Sequence, residues 1–274
     1  MKPVRVGCIG LGWIPTQAHL PALAPLAEEG QIVFQAFCDQ NEETLQTQAK
    51  AYKPVATYTD HHEMLDKEEL DAVYLCIPPT VHSDEVTIIA DKGIPLFVEK
   101  PQTLDIKQAI QFNAEIEKSG IISQVGFVYR YEASSEPARE LIAQRTPRHA
   151  QIHNYYSGKP IRYWTSRYEL CGGSFVENTI HSIDLLRYFL GDIDAVQAFY
   201  VESLPEERIE PMNLPHAYNV NYRFKERITA NANIARIMND VSFNKHAFYV
   251  VGHDSIIEWY PDKLLENGEI VWQT

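Results

Sequence analysis

The sequence predicts a chain of two parts. Residues 1–123 read as an α/β unit, a parallel sheet with helices on both faces. Residues 124–274 read as an α+β unit with an open, mainly antiparallel sheet. Three observations carry this. Short Val/Ile/Leu-rich runs alternate with amphipathic stretches through the first half, as a sheet covered on both faces requires. Apolar and polar residues alternate strictly through much of the second half, the period of strands with one face in water. A glycine-containing turn stands between the first strand and the first helix.

Taken in order, "VRVGCIG" (4–10) is a strand and 16–29 a helix carrying Pro21 and Pro25. "IVFQAFCD" (32–39) is a strand and 41–51 a helix. "DAVYLCI" (71–77) is a strand, and "VHSDEVTIIADKG" (81–93) a helix closed by Gly93. "IPLFV" (94–98) is a strand, 104–118 a helix ending near Gly120, and "IISQVGF" (121–127) a strand. In the second half one strong helix spans about 175–190. The strands "YNVNYRF" (218–224), "ITANANI" (228–234), "HAFYVVG" (246–252), "SIIEWY" (255–260) and "EIVWQT" (269–274) follow it as a meander. An open sheet of alternating strands asks for a partner, so a homodimer or homotetramer is expected.

Composition narrows the classes. The 274 residues include 24 basic and 37 acidic side chains, a formal net charge of -13, with no basic cluster. That argues against a nucleic-acid or anionic-membrane partner, because phosphate binding needs local positive charge. No apolar run approaches the roughly 20 residues that span a bilayer. Cys8, Cys38, Cys76 and Cys171 form no CxxC pair, and the first three sit in apolar runs. They read as buried thiols of a reducing compartment. The N-terminus lacks a signal-peptide pattern, and the expected location is cytoplasmic.

The turn after the first strand is "GLGWIP". Gly10 and Gly12 let the chain turn tightly and let a pyrophosphate approach the backbone, with the following helix presenting free N–H groups. Trp13 and Ile14 complete the turn. Pro15 stands where Gly or Ala is usual; it removes one donor, though proline suits a first helical turn. Asp39 ends the second strand, where a carboxylate meets the adenosine ribose and repels a 2′-phosphate. The expected cofactor is therefore NAD, with NADP second. Asp39 and Asn41 are equally suited to cap the next helix. Ligands of a parallel sheet lie at the carboxyl ends of its strands. "IPPTVH", with Ile77, Pro78 and His82, falls at such an end, and so do Glu99 and Lys100 of "VEKP".

These segments, with "GGSFVENTIHSIDLLRYFLGD", occur in the order seen in the Gfo/Idh/MocA oxidoreductases, which the chain resembles from residue 4 to roughly 260. The resemblance implies a Rossmann domain followed by a substrate domain. It implies hydride transfer between NAD(P) and a polyol, sugar or related hydroxylated substrate. By resemblance Lys100 lies beside the nicotinamide and the substrate hydroxyl. His181 takes the place of the family histidine, and the family aspartate falls on Glu177, a departure. The chain ends at "VWQT", before terminal helices common in the family.

The residue chemistry suits that role. Glu177, His181 and Asp184 are spaced i, i+4, i+7 and share one helix face. A near-neutral imidazole takes a proton as hydride leaves, and a carboxylate one turn away orients it. Lys100 stabilises developing negative charge on the same oxygen. Asp184 reads as structural, with Arg187 in reach. The three spaced groups lack other clustered ligands, so no metal is expected. "NYYSGKPIRYWTSRYEL" (154–170) offers Tyr155, Tyr156, Lys159, Arg162, Tyr163, Trp164 and Arg167, and "YRY" adds Arg130. Of these, Arg130, Tyr156, Arg162, Trp164 and Arg167 join Lys100 and His181 as candidate substrate contacts, since aromatic faces stack on sugars and cations bind hydroxyls or carboxylates. Two alternatives stay open. One is a glycosidase using bound NAD for transient oxidation; the other is a non-catalytic NAD sensor.

Overall fold

The structure, a computed structural model, describes residues 2–156, 162–236 and 244–274. The chain divides into two compact units, Met1–Gly126 and Phe127–Thr274. The division falls after residue 126 rather than 123, because Ser123–Val125 pairs as the last strand of the first sheet.

In the first unit, β1 (Val4–Ile9), β2 (Ile32–Cys38), β3 (Ala56–Tyr58), β4 (Ala72–Leu75), β5 (Leu96–Val98) and β6 (Ser123–Val125) form one sheet in the order β3-β2-β1-β4-β5-β6. Every pairing is parallel. The helices between them are α1 (Leu20–Glu28), α2 (Glu42–Tyr52), α3 (His61–Lys67), α4 (Glu85–Asp91) and α5 (Ile106–Ser119). They leave a core on each face, one around Phe34, Phe37 and Leu20, the other around Val73, Ile89 and Phe112. Strand order reverses between β1 and β4, the place where such sheets bind ligands. The short β3 and α3 have no counterpart among the predicted elements.

Helix ends follow local chemistry. Asn41 caps α2, accepting from the Thr44 N–H at 2.9 Å, which settles the choice between Asp39 and Asn41. Asp105 caps α5 at 2.8 Å from Lys107 N, and Gly120, at φ 69°, ends it.

In the second unit, β7 (His149–Tyr156), β8 (Ile193–Val201), β9 (Ala217–Phe224), β10 (Thr229–Arg236), β11 (Asn244–Val251), β12 (Ile256–Tyr260), β13 (Lys263–Glu266) and β14 (Glu269–Gln273) form a second sheet. Its order is β14-β13-β12-β11-β7-β10-β9-β8. All pairs are antiparallel except β7 with β10. The helices are α6 (Ser135–Ala143), α7 (Tyr168–Cys171) and α8 (Ile180–Leu190). Ile152, Val220, Phe224, Phe248 and Trp259 from one sheet face pack with Leu185, Leu186 and Ile142. The other face is polar, with amides paired across β9 and β10: Asn219 to Asn233 at 2.6 Å and Asn231 to Asn221 at 2.7 Å. The edge strand β8 exposes Val196, Phe199, Tyr200 and Val201. Among the described residues no helix is long and apolar enough to cross a membrane.

Candidate functional site

In the first unit the ends of β1, β2 and β4 frame a cleft of about 710 Å3. Gly10, Gly12, Asp39, Ile77 and Pro78 line it. The two glycines do different work. Gly10 sits at φ +83°, and a Cβ there would stand 2.5 Å from the Cys76 carbonyl oxygen. Only glycine fits. At Gly12 a Cβ would meet nothing within 4 Å. The protein itself leaves that space open, as a turn that admits a phosphate must. Pro15 opens a π-helical turn, Pro15–His19, ahead of α1, so its missing N–H falls where no intrahelical partner exists. Trp13 is half exposed.

Asp39 is held by the turn it faces. One carboxylate oxygen accepts from Leu11 N at 2.7 Å, the other from Asn41 N at 2.8 Å. Cys38 and Cys76 also line the cleft; burial pushes the Cys38 thiol up to about 12, and both remain small neutral groups.

The charges that end β5 part company. Glu99 is buried, 2.7 Å from His19 Nε2 through one oxygen and accepting the Lys100 N–H at 3.0 Å through the other. His19 packs beside the Tyr74 and Phe97 rings, centroids 5.6 and 5.0 Å away. Glu99, expected among the cofactor contacts, thus acts as a buried brace between β5 and the first helical turn. Lys100 follows it at the strand mouth, half-buried, with a cis bond to Pro101. His82, expected beside the cofactor, also has a protein partner. Its side chain is fully buried, bonded through Nδ1 to Glu85 and packed against Phe112 at 6.0 Å. Glu85 is held at about 2: burial pushes it up, but the bonds from His82 and Ser83 outweigh that.

In the second unit His181 is the second residue of α8, its ring 5.2 Å from that of Tyr129 and 6.5 Å from that of Phe127. Glu177 is buried on a π-helical turn, Phe175–Thr179, that runs into α8. The single α-helical face expected for Glu177, His181 and Asp184 is therefore interrupted by a wider turn, a feature that often accompanies function. Arg162 Nη2 stands 4.0 Å from Glu177 Oε1, with its guanidinium 5.4 Å from the Trp164 ring. Tyr156 is half-buried beside Arg236, which lies 5.1 Å over its ring, and desolvation raises its hydroxyl.

Three expected substrate contacts have partners within the second unit. Arg130 grips Asp184 with two bonds of 2.6 Å and lies 5.0 Å over the Tyr188 ring. Asp184 is structural, as expected, but through Arg130; Arg187 pairs with Asp192. Arg167 bonds Glu169 at 2.8 Å and the Pro211 carbonyl at 3.1 Å. Trp164 packs on Cys171, Met212 and Leu214. Lys159 lies outside the described residues.

Sequence reasoning passed over His19 and Tyr129, whose partners are distant in sequence. It also passed over the Asp60-His61-His62 run on the cleft wall, which two adjacent histidines at a helix start would have signalled.

Residues 4–127 match the family described as "Oxidoreductase family, NAD-binding Rossmann fold", and residues 138–258 match the GFO/IDH/MocA C-terminal domain. The chain belongs to the Gfo/Idh/MocA oxidoreductase family. Among its relatives, the myo-inositol 2-dehydrogenase of Thermotoga maritima is 27% identical over 69% of this chain and 55% of that protein. The D-xylose 1-dehydrogenase (NADP(+)) 2 of Haloferax volcanii is 26% identical over 70% of this chain and 59% of its own. The matches thus cover less than two thirds of these family members. The WlbA dehydrogenase of Bordetella pertussis, solved with NADH and UDP-GlcNAcA, shares the fold at a TM-score of 0.82 and 18% identity. That superposition covers 99% of this chain and 83% of the other.

Proposed function

We propose that the chain is an NAD(P)-dependent oxidoreductase moving a hydride between the nicotinamide and a polyol, sugar or related hydroxylated substrate. The observation that carries this is the cleft: Asp39 braced by Leu11 N–H on one side, and Gly12 with open space on the other. Those residues fit a dinucleotide. Gly12 leaves room for the pyrophosphate, and Asp39 accepts from the ribose hydroxyls while repelling a 2′-phosphate, which favours NAD over NADP. Trp13, Ile14, Ile77 and Pro78 complete that binding set.

NAD, when bound, supplies the hydride acceptor. The chain's own part is proton and charge control. Lys100 donates to the substrate oxygen and stabilises its developing negative charge. His181 takes the hydroxyl proton, and Glu177, beside Arg162, orients the ring. Tyr156 and Arg162 contribute substrate contacts. Arg130, Arg167 and Trp164 are withdrawn from that set. The relatives named above are dehydrogenases; neither the glycosidase nor the sensor alternative has a counterpart among them. The exposed apolar edge of β8 supports a homodimer or homotetramer, which light scattering would show as a mass at least twice that of the chain. The location consistent with this reading is the cytoplasm.

The test begins with calorimetry of NAD and NADP binding. A panel of polyols and sugars follows, with NADH formation read by absorbance. Binding of neither dinucleotide overturns the reading.

A further inference from the structure

Where β7 and β10 end, the second unit places a cation at the rim of a dry core. The two strands run parallel and finish together, with Arg236 in register with Tyr156. Side chains two apart share a strand face. The buried row Ala230, Ala232 and Ile234 therefore runs out into Arg236, and the buried row Ala150, Ile152 and Asn154 into Tyr156. Arg130, Arg145, Arg162 and Arg167 each stand within 4.0 Å of a carboxylate. Arg236 is in no ion pair among the described residues; its guanidinium lies 5.1 Å over the Tyr156 ring. A ring face attracts the cation but accepts none of its N–H bonds in the guanidinium plane. Arg236 Nε is closed to solvent and has no hydrogen-bond partner, and the same holds for the Tyr156 hydroxyl and Ser174 Oγ. Buried donors left without acceptors are costly and call for an explanation. Desolvation raises the Tyr156 hydroxyl, which stays protonated and able to donate. Ser174 stands beside that hydroxyl and opens the π-helical turn that carries Glu177.

We propose that Arg236, with the hydroxyls of Tyr156 and Ser174, receives the carboxylate of an acidic sugar, so that the substrate is a uronate or aldonate rather than a neutral polyol. This rests on the oxidoreductase reading for the reaction and adds to it the charge of the substrate. The guanidinium edge offers two parallel N–H donors that match the two oxygens of a carboxylate. The two hydroxyls donate to the lone pairs that remain. A phosphate fits less well. It brings a third oxygen and up to a second negative charge, and the Glu177 carboxyl group stands on the next turn. Arg236 is a specificity residue in this account: it holds the end of the substrate that does not react.

The test titrates glucuronate, galacturonate and gluconate into the full chain by calorimetry, with and without NAD. Glucose, galactose and glucose 6-phosphate serve as the neutral and phosphorylated counterparts, and kcat and KM are read from NADH formation for each sugar that reacts. At least one carboxylate should bind more than about tenfold tighter than its neutral parent, and glucose 6-phosphate should not. Arg236→Gln should lower carboxylate affinity by about 10–100-fold, the worth of hydrogen bonds to a charged group, and erase the preference, with the loss in KM rather than kcat. Arg236→Lys keeps the charge without the fork and should recover part of it. Arg139→Gln removes the same charge from the surface of α6 and should keep the preference. Circular dichroism checks folding; should Arg236→Gln not fold, Tyr156→Phe, which removes only the hydroxyl, should weaken the carboxylate several-fold and carries the test. No carboxylate preference, a preference that survives Arg236→Gln, or a stronger one for the phosphate overturns the proposal and leaves the oxidoreductase reading standing wherever NAD binds. Failure of NAD to bind overturns that reading instead, and the carboxylate preference is then decided on the chain without NAD.

Discussion

Replacing Gly10 and Gly12 singly by alanine separates what the fold requires from what a ligand requires. At Gly10 the backbone is left-handed, and the new Cβ would stand 2.5 Å from Cys76 O and 2.8 Å from Ile77 Cγ2. The left-handed conformation costs about 1–2 kcal/mol for a residue with a Cβ. Forcing bulk against a carbonyl costs about 1–3 kcal/mol more. Gly10→Ala should therefore lose about 2–5 kcal/mol of stability. At Gly12 the same methyl meets nothing within 4 Å. The substitution is neutral for folding, or stabilising by up to about 1 kcal/mol through the unfolded chain. It places the methyl where the pyrophosphate must approach, and NAD affinity should fall at least about tenfold, equivalent to about 1.4 kcal/mol. Urea unfolding gives the first quantity and calorimetry the second. A Gly12→Ala protein that binds NAD as tightly as the parent, or unfolds as easily as Gly10→Ala, would refute the reasoning.

Four further outcomes are expected. Asp39→Ala should weaken NAD by about 10–100-fold, the worth of charge-assisted hydrogen bonds, and narrow its advantage over NADP; competition binding with both dinucleotides measures this. Arg130→Met strands the buried Asp184 carboxylate and should cost about 3–5 kcal/mol in denaturant melts, with the substrate KM of the folded fraction unchanged. His181→Ala should lower turnover by about 10²–10⁴-fold and leave NAD affinity intact; unchanged turnover would end its assignment. Asp71, held at about 2 by the Arg5 side chain and N–H, adds stability above its ordinary 3.8 that disappears as pH falls toward 2. Exposure keeps this below about 1 kcal/mol, so Asp71→Asn should slightly flatten the acid limb of a pH–stability profile, less so in high salt.

The parallel sheet was legible because both its faces are buried, which forces continuous apolar runs such as "VRVGCI" and "IVFQAFC". The meander at β9 and β10 was legible for the opposite reason: one wet face leaves Asn219, Asn221, Asn231 and Asn233 in strict alternation. The elements that escaped are short or atypical. β3 has three residues, and β8 carries apolar residues on exposed positions, so neither shows its period. β7 hides its alternation behind polar aromatics and histidines. Within the site, the glycine turn and Asp39 follow from local chain geometry. The true partners of Glu99 and Arg130 do not: His19 and Asp184 lie 80 and 54 residues away, and charge in a sequence never names its counterpart.

The placement of β7 bears on how the chain comes off the ribosome. The first sheet is complete once β6 has emerged, since each strand's neighbours lie at or before it in the chain. β7 sits at the centre of the second sheet, yet both its neighbours, β10 and β11, come later. Eighty residues separate His149 from its partner Thr229. Through that interval of synthesis a strand bearing Ala150 and Ile152, fully buried in the finished fold, has no partner edge on either side. The nascent second unit must then close a long loop before its central pairing is rewarded, the condition that makes non-local sheets slow and prone to association. Pulse-labelled chains stalled after residue 200 should expose this strand to protease while the first unit is already protected.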